Sequence, residues 1–210
     1  MARHILVHGL GQRAESWGKL LSYAGREQVF DALELSELLA GQTVSYETLY
    51  HVFSVYCDHI EEPLCIGGLS LGAVLALHYS IEHPEKVKAL VLMAAQYAPP
   101  KALMAFQNVV FRFLPKASFR DTGFGKEDFI RLCKTIGTLD LSEKLDQITC
   151  PVLVVCGEKD RTNLPASQEL ARQLPGAVLR VIPGCGHEIN AEAPETLAAL
   201  ISDFYHVNQL

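Results

Sequence analysis

The sequence predicts an α/β fold, in which a mostly parallel sheet carries helices on both faces. Short apolar runs alternate with longer amphipathic segments along most of the chain, which is the pattern of a parallel sheet built from βα units. A length of 210 residues, 49% of them hydrophobic, suits one domain with a sizeable core. This βα rhythm stops once, in the middle of the chain, and then resumes.

The predicted elements follow one another in regular order on either side of that interruption. Short apolar runs bounded by glycine or proline predict strands at 4–7, 29–35, 63–67, 88–94, 151–156 and 178–182. Apolar residues spaced three and four apart predict helices at 16–24, 45–60, 71–83, 166–174 and 193–204. Ser45 is a candidate N-cap, and Pro84 ends the helix before it because the proline ring blocks another turn.

The interruption lies between Tyr97 and Ile148, where no strong strand run occurs. Helical patterns appear there at 102–113 and 126–137. The chain therefore divides into a core, residues 1–97 and 149–210, and an insertion, residues 98–148. An insertion at the carboxyl end of a strand lies over the crevice where such sheets bind ligands, so we expect a small helical cap or lid.

The most specific motif is Gly68-Leu69-Ser70-Leu71-Gly72, which fits G-x-S-x-G between a predicted strand and a predicted helix. A strand that turns abruptly into a helix holds its corner residue in a strained backbone and exposes that side chain. The residues two before and two after must be very small to avoid collision. Ser70 is therefore the candidate nucleophile; the alternative is a glycine-rich turn in which Ser70 caps the helix.

A serine nucleophile needs a base, and the base needs a carboxylate to orient it. Among the eight histidines, His187 is set apart by its place in a loop directly after a predicted strand, at the same sheet edge as Ser70. Glu158 and Asp160 both follow the strand at 151–156. Asp160 is favoured as the acid because it lies deeper in its loop and can reach His187.

The first predicted strand ends in His8-Gly9-Leu10-Gly11. We expect the backbone N–H of Leu10, with that of Gly11 as the alternative, to join the N–H of Leu71 in an oxyanion hole. His8 fits a supporting role in this loop better than the role of base. A plain glycine turn is the other interpretation.

These segments resemble the α/β-hydrolase superfamily at matching places in the chain. The matching segments are the His8-Gly9 loop, residues 68–72, 157–160 and 184–187, and the tail Glu192-x-Pro194-Glu195. The likeness covers nearly the whole chain outside the insertion, and the order Ser70, Asp160, His187 is the one this fold implies. Two features depart from the family. The chain starts at what looks like the third strand of the family sheet, and Glu34-Leu-Ser-Glu-Leu-Leu replaces the usual D-x-x-G-x-G-x-S loop.

The resemblance implies a serine hydrolase, of carboxylesterase type (EC 3.1.1), that needs neither a cofactor nor a metal. The expected substrate is a small apolar ester held by the insertion, with Phe106 and Phe111 as the main candidate contacts. Other apolar candidates in the insertion are Leu103, Met104, Phe113 and Phe124. The alternative is that these side chains only pack the cap.

Other functions fit the same three residue types. Carbon–carbon bond hydrolases and cofactor-free perhydrolases of haloperoxidase type resemble the pattern equally well. An alternative of another class is a catalytically silent ligand-binding relative. Dehalogenases and epoxide hydrolases are excluded because they have aspartate where Ser70 stands. Cys185 is too close to His187 in a tight loop to act as nucleophile, so it is predicted to pack.

Composition excludes several partners. The net charge is −6 and the 18 basic residues are scattered along the sequence, which predicts neither a nucleic-acid groove nor a patch for anionic membranes. No apolar stretch is long enough to span a bilayer, and no signal-peptide core follows Met1, so we expect a cytoplasmic protein. The six cysteines are widely spaced, which predicts free thiols. A small-molecule substrate is the only partner indicated, and the oligomeric state is not specified.

Overall fold

The computed structural model describes residues 2–24 and 29–210, apart from the side chain of Leu103. It contains one six-stranded sheet in which all neighbouring strands are parallel, in the order β2-β1-β3-β4-β5-β6. The strands are β1 (Arg3–Val7), β2 (Phe30–Leu33), β3 (Leu64–Leu69), β4 (Val87–Met93), β5 (Val152–Gly157) and β6 (Val178–Ile182). The predicted α/β class is confirmed.

Helices connect the strands. They are α1 (Gly18–Tyr23), α2 (Leu35–Leu39), α3 (Tyr46–Asp58), α4 (Leu71–Glu82), α5 (Lys101–Phe113), α6 (Lys126–Ile136), α7 (Leu164–Gln173), α8 (Ile189–Glu192) and α9 (Pro194–Val207). Short 3₁₀ turns occur at Ala14–Trp17, Lys116–Phe119 and Ser142–Gln147. As predicted, Ser45 caps α3, because its side chain accepts the Thr48 N–H. Within the described ranges, no helix is long and apolar enough to cross a membrane.

The second strand is shorter than predicted. The apolar run suggested residues 29–35, but β2 ends at Leu33 and α2 begins at Leu35. The cause is Glu34, whose carboxylate accepts the N–H groups of Ser36 and Ala14 and so turns the chain into a helix.

Each face of the sheet carries its own hydrophobic cluster. Successive residues of β1 point to opposite faces, so Ile5 and Val7 belong to one cluster and Leu6 to the other. The first cluster is covered by α3, α4 and α7, and the second by α1 and α9. Because both faces are buried, the strands are apolar runs rather than alternating ones.

Residues 98–148 pack onto the first of these clusters. Their buried side chains, such as Phe129, Leu132 and Leu145, belong to the same hydrophobic cluster as the inner residues of α3 and α4. Helices α5 and α6 also pack on each other, with the rings of Phe111 and Phe129 edge to face at 5.3 Å between centroids. The segment thus extends one face of the core, and the division of the chain into core and cap stays a prediction.

Candidate active site

Ser70 occupies the corner between β3 and α4. Its backbone has φ 52° and ψ −109°, a positive φ that side-chain-bearing residues rarely adopt. Two hydrogen bonds hold this corner: the Ser70 N–H donates to Met93 O at 2.8 Å, and the Val74 N–H donates to Ser70 O at 3.0 Å. The strain is therefore fixed by both the neighbouring strand and the following helix.

The two glycines of the motif permit this corner. A Cβ on Gly68 would lie 2.3 Å from the carbonyl carbon of Gly72, and a Cβ on Gly72 would lie 2.1 Å from Val7 O. Both distances are far inside van der Waals contact, and backbone atoms cannot move aside as a flexible side chain can. Gly68 is required because it packs on the start of α4, and Gly72 because the start of α4 packs on the end of β1.

Asp160 and His187 meet at the carboxyl ends of β5 and β6. His187 Nδ1 lies 2.7 Å from Asp160 Oδ2. The Asp160 side chain is only 5% exposed, whereas that of His187 is 43% exposed. Glu158, the alternative acid, accepts the Gly184 N–H at 2.8 Å instead and so braces the loop before His187.

Asn163 supports this pair, and the sequence analysis missed it. Its Nδ2 lies 2.9 and 2.8 Å from the two carboxylate oxygens of Asp160, and its own carbonyl oxygen accepts from Gln96 Nε2 at 3.0 Å. Burial raises the pKa of Asp160, but hydrogen bonds from His187 and Asn163 outweigh it and hold this pKa below 3.8. The available signal was Asp-x-x-Asn directly before a helix start, a spacing that brings the two side chains together.

Ser70, Asp160 and His187 all line one cavity of about 370 Å³. The hydrogen bonds found in the described part of the chain do not include one between Ser70 and His187. Catalytic hydrogen bonds are often long before a substrate binds, so this geometry is compatible with a nucleophile and base.

The loop after β1 lies beside Ser70. A Cβ on Gly9 would be 3.5 Å from Ser70 Cβ, and Leu10 and Leu71 both line the cavity. No hydrogen bond among residues 2–24 and 29–210 uses the N–H of Leu10 or Leu71. Two backbone donors thus belong to residues that line the cavity together with Ser70, as an oxyanion hole would require.

His8 fixes the direction of one of these donors. Its Nε2 accepts the Leu35 N–H at 3.1 Å, so a neutral ring carries its proton on Nδ1 and donates to Gly9 O at 2.8 Å. Burial lowers the pKa of His8, although its bond to Gly9 and the nearby Glu34 oppose this shift. Gly9 O and the Leu10 N–H point in opposite directions on one trans peptide, so holding the oxygen also orients the N–H.

Comparison with known proteins places this site in a family. Residues 5–200 match the alpha/beta hydrolase family. The chain belongs to that family. The match includes the loop after β1, the Ser70 corner and the loops that carry Asp160 and His187.

Relatives and solved structures agree with this assignment. The chain is 30% identical over 188 residues to the alpha/beta hydrolase domain-containing protein VTE7 of Arabidopsis thaliana, covering 74% of this chain and 57% of that protein. It is 22% identical to the pimeloyl-(acyl-carrier protein) methyl ester esterase of Nitrosomonas europaea, covering 91% and 90% of the two chains. The fold of a Thermogutta terrifontis esterase matches with a TM-score of 0.78 at 18% identity, covering 100% of this chain and 91% of that one.

One wall of the cavity comes from α5 and α6. Phe111 lines the cavity as predicted, together with Met104. Phe106 does not: it is 66% exposed and lies outside the lining, because α5 turns it to the opposite side from Phe111. Phe113 is likewise exposed, whereas Phe124 is buried in the core and the side chain of Leu103 lies outside the described residues. Five further residues of the segment 98–148 line the cavity and were not predicted: Pro99, Gln107, Phe129, Cys133 and Ile136.

Two cysteines near the site, Cys185 and Cys133, are not activated as nucleophiles. Cys185 is buried in the hydrophobic cluster under α9, where burial raises the pKa of its thiol. Cys133 lines the cavity, but burial raises its pKa to about 11. Since the thiolate is the reactive form, neither side chain is activated.

Proposed function

We propose that this α/β-hydrolase is a serine hydrolase that cleaves small apolar esters through Ser70, His187 and Asp160. The observation that carries the proposal is the 2.7 Å contact between His187 Nδ1 and Asp160 Oδ2, in the same cavity as a serine held at positive φ. A base oriented by a buried carboxylate and a serine that faces the same cavity are the two requirements of acyl transfer by this route.

The reaction proceeds in two acyl-transfer steps. Because Nδ1 of His187 donates to Asp160, Nε2 is the nitrogen free to take the Ser70 hydroxyl proton. Ser70 Oγ attacks the ester carbonyl, and the N–H groups of Leu10 and Leu71 stabilise the oxyanion. His187 then returns the proton to the leaving alcohol. A water molecule, deprotonated by His187, hydrolyses the acyl-enzyme and frees Ser70.

The cavity favours a neutral, apolar substrate. Its wall from residues 98–148 is mostly apolar, with Met104, Phe111 and Ile136 among the contributors. Among the residues that the structure describes, the lining has no lysine or arginine, and its one carboxylate, Asp160, is already engaged with His187. A substrate with its own carboxylate or phosphate would therefore be desolvated without a countercharge, which is costly.

The named relatives support ester chemistry in particular. The Nitrosomonas europaea relative and the Thermogutta terrifontis structure are both named as esterases. Carbon–carbon bond hydrolysis and perhydrolysis use the same residues, and a substrate panel separates them from ester hydrolysis. We also propose that residues 98–148 form the cap that shapes the substrate site.

A fluorophosphonate probe tests the proposal, since it modifies only an activated serine. The wild-type chain should become labelled at Ser70 and should hydrolyse p-nitrophenyl esters with a preference set by acyl length. Ser70→Ala should abolish labelling and lower kcat by about 10⁴-fold or more. Absence of labelling in the wild type, or equal labelling after His187→Ala, would show a silent binding protein instead.

A further inference from the structure

The outer face of α5 is apolar although it faces solvent. Phe106, Val109 and Phe113 are 66%, 51% and 85% exposed. Together with Ala102 they follow the spacing i, i+4, i+7, i+11, which places them on one stripe along the helix. Five of the ten large apolar side chains exposed in the described ranges lie between residues 106 and 114. Such a concentration marks an interaction surface.

Cations flank this stripe, and acids are absent from the segment that forms it. The stretch from 98 to 120 contains Lys101, Arg112, Lys116 and Arg120 and no aspartate or glutamate, in a chain whose net charge is −6. Lys101 and Arg112 are eleven residues apart, so α5 brings them to the same side, next to the stripe. Two of the four cations thus share one side of α5 although they are far apart in the sequence, and the other two follow its C-terminal end.

The neighbouring acids lie outside this stretch and only partly compensate: they are Asp121, directly after Arg120, Asp140 near Lys101, and Glu127 and Asp128 on α6. Lys116 pairs with Glu127 at 3.3 Å, but both side chains are largely exposed, where such a pair contributes little. Lys126 holds the C-terminal end of α5, donating to the carbonyl oxygens of Arg112 and Leu114 at 2.6 and 2.7 Å. Positive charge therefore gathers at the end of the helix where Phe113 protrudes.

We infer that this face of α5, the apolar stripe with its flanking cations, binds anionic lipid surfaces. An amphipathic helix whose apolar stripe is bordered by lysine and arginine inserts at the boundary between headgroups and acyl chains. The cations add attraction to anionic headgroups. The inner face of the same helix lines the cavity through Met104, Gln107 and Phe111, so lipid contact and the active-site wall share one element.

A second copy of the chain fits this face less well. A symmetric dimer would place the face against itself, so four cations would meet the same four cations. A stable interface also needs about 800 Å² from each partner, which is more than one short helical stripe offers. The charge is thus complementary to an anionic surface and not to this protein.

Co-sedimentation with vesicles tests the inference. The full chain should bind vesicles of phosphatidylcholine mixed with phosphatidylglycerol and should bind pure phosphatidylcholine much less, with binding weakened by salt. The double variant Phe106→Ser/Phe113→Ser should lower the partition coefficient about tenfold or more. Each cation removed in Arg112→Gln and Lys116→Gln should lower it about fivefold.

The controls separate this surface from the rest of the molecule and from catalysis. Tyr23→Ser/Val207→Ser removes two exposed apolar side chains elsewhere and should leave binding unchanged. Ser70→Ala should bind like the wild type, because lipid contact does not use the nucleophile. Equal binding to neutral and anionic vesicles, or full binding by Phe106→Ser/Phe113→Ser, would overturn the inference. A dimer in solution that dissociates in the Phe106→Ser/Phe113→Ser variant would also overturn the inference.

Discussion

The side-chain amides of Gln12 and Asn190 form two hydrogen bonds with each other, although the residues are 178 positions apart in the chain. Gln12 Nε2 donates to Asn190 Oδ1 at 3.1 Å, and Asn190 Nδ2 donates to Gln12 Oε1 at 3.2 Å. Both residues are buried. The Gln12 N–H also donates to Gly9 O at 3.1 Å, and Asn190 follows His187 by three residues. This amide pair therefore joins the loop of the proposed oxyanion donor to the loop of the proposed base.

A double-mutant cycle measures the coupling within the amide pair. Gln12→Leu alone leaves Asn190 Oδ1 without a donor, and Asn190→Leu alone leaves the Gln12 amide with only its longer bonds to Ser16 and Glu188, so each should lower the free energy of unfolding by about 1–3 kcal/mol. The double variant should lose clearly less than the sum of the two, because no orphaned amide remains. Urea unfolding gives all four values. Additive losses would show that the two amides act independently.

The amide pair should also affect catalysis, because it positions the base and the oxyanion donor. We expect Asn190→Leu to lower kcat on a p-nitrophenyl ester more than it changes KM, since the base and the oxyanion donor lose their common anchor. Steady-state kinetics gives both parameters. A change confined to KM would contradict a positioning role.

The buried His8 should make stability depend on pH in a defined window. Its pKa lies below 6.5 in the folded chain, so below about pH 6.5 the unfolded chain binds a proton that the folded chain does not. Stability therefore falls as the pH drops from 6.5 towards the lower folded value. His8→Gln removes the titrating imidazole. The free energy of unfolding, measured by urea unfolding at a series of pH values, should therefore fall less steeply as the pH drops. Identical pH slopes in both proteins would refute the assignment.

Asp160 and Glu158 provide a matched pair of acids. Asp160→Asn should lower kcat by about 10⁴-fold, because an amide cannot stabilise the imidazolium and favours the wrong tautomer of His187. Glu158→Gln should keep kcat within about threefold of the wild type, since Glu158 only accepts the Gly184 N–H, a bond to one backbone group. If both variants lost activity equally, the assignment of the acid to Asp160 would fail.

Replacement by alanine should have opposite effects on stability at Gly72 and at Gly18. Gly72→Ala places a Cβ 2.1 Å from Val7 O, so the free energy of unfolding should fall by about 4 kcal/mol or more, or the chain should not fold. Gly18 lies at the start of α1 with φ −54° and nothing within 4 Å of an added Cβ. Gly18→Ala should stabilise by about 0.4–1 kcal/mol. Thermal unfolding followed by circular dichroism compares them.

The two phenylalanines of α5 should separate the cavity from the surface. Phe111→Leu shortens a side chain of the cavity wall and should shift the preferred ester towards a longer acyl chain. Phe106→Leu changes an exposed ring outside the lining and should leave the preference unchanged. A series of p-nitrophenyl esters of increasing acyl length reads out both. Equal shifts in the two variants would mean that the cavity wall is not the specificity determinant.

The local sequence was enough for features that depend on neighbouring residues. The strand Val178–Ile182, the Ser45 cap and the strand–helix corner at Ser70 follow from apolar runs, capping side chains and glycine spacing. The end of β2 could not be predicted from the local sequence, because Glu34 accepts the N–H of Ala14, twenty residues earlier in the chain. No local pattern records such a contact.

The walls of the cavity show the same limit. Helix α5 is apolar on two sides, and helical periodicity cannot say which side faces inwards. Packing against α6 decides it: the ring of Phe111 meets Phe129 at 5.3 Å, and Phe106 is left outside. Asn163 was not predicted because an asparagine is also common directly before a helix, and its contact with Asp160 is made only in the folded loop.

The shared hydrophobic cluster of residues 98–148 and the sheet has a consequence for how this protein can change. Since Phe129 and Leu132 pack with α3 and α4, the stretch that lines the cavity also forms part of the hydrophobic core on one face of the sheet. Replacing it wholesale with the corresponding stretch of a relative would leave voids beneath the transplanted helices. New substrate preferences are therefore accessible here through single exchanges at cavity-facing positions, while grafting of the whole stretch demands that the underlying helices be redesigned with it.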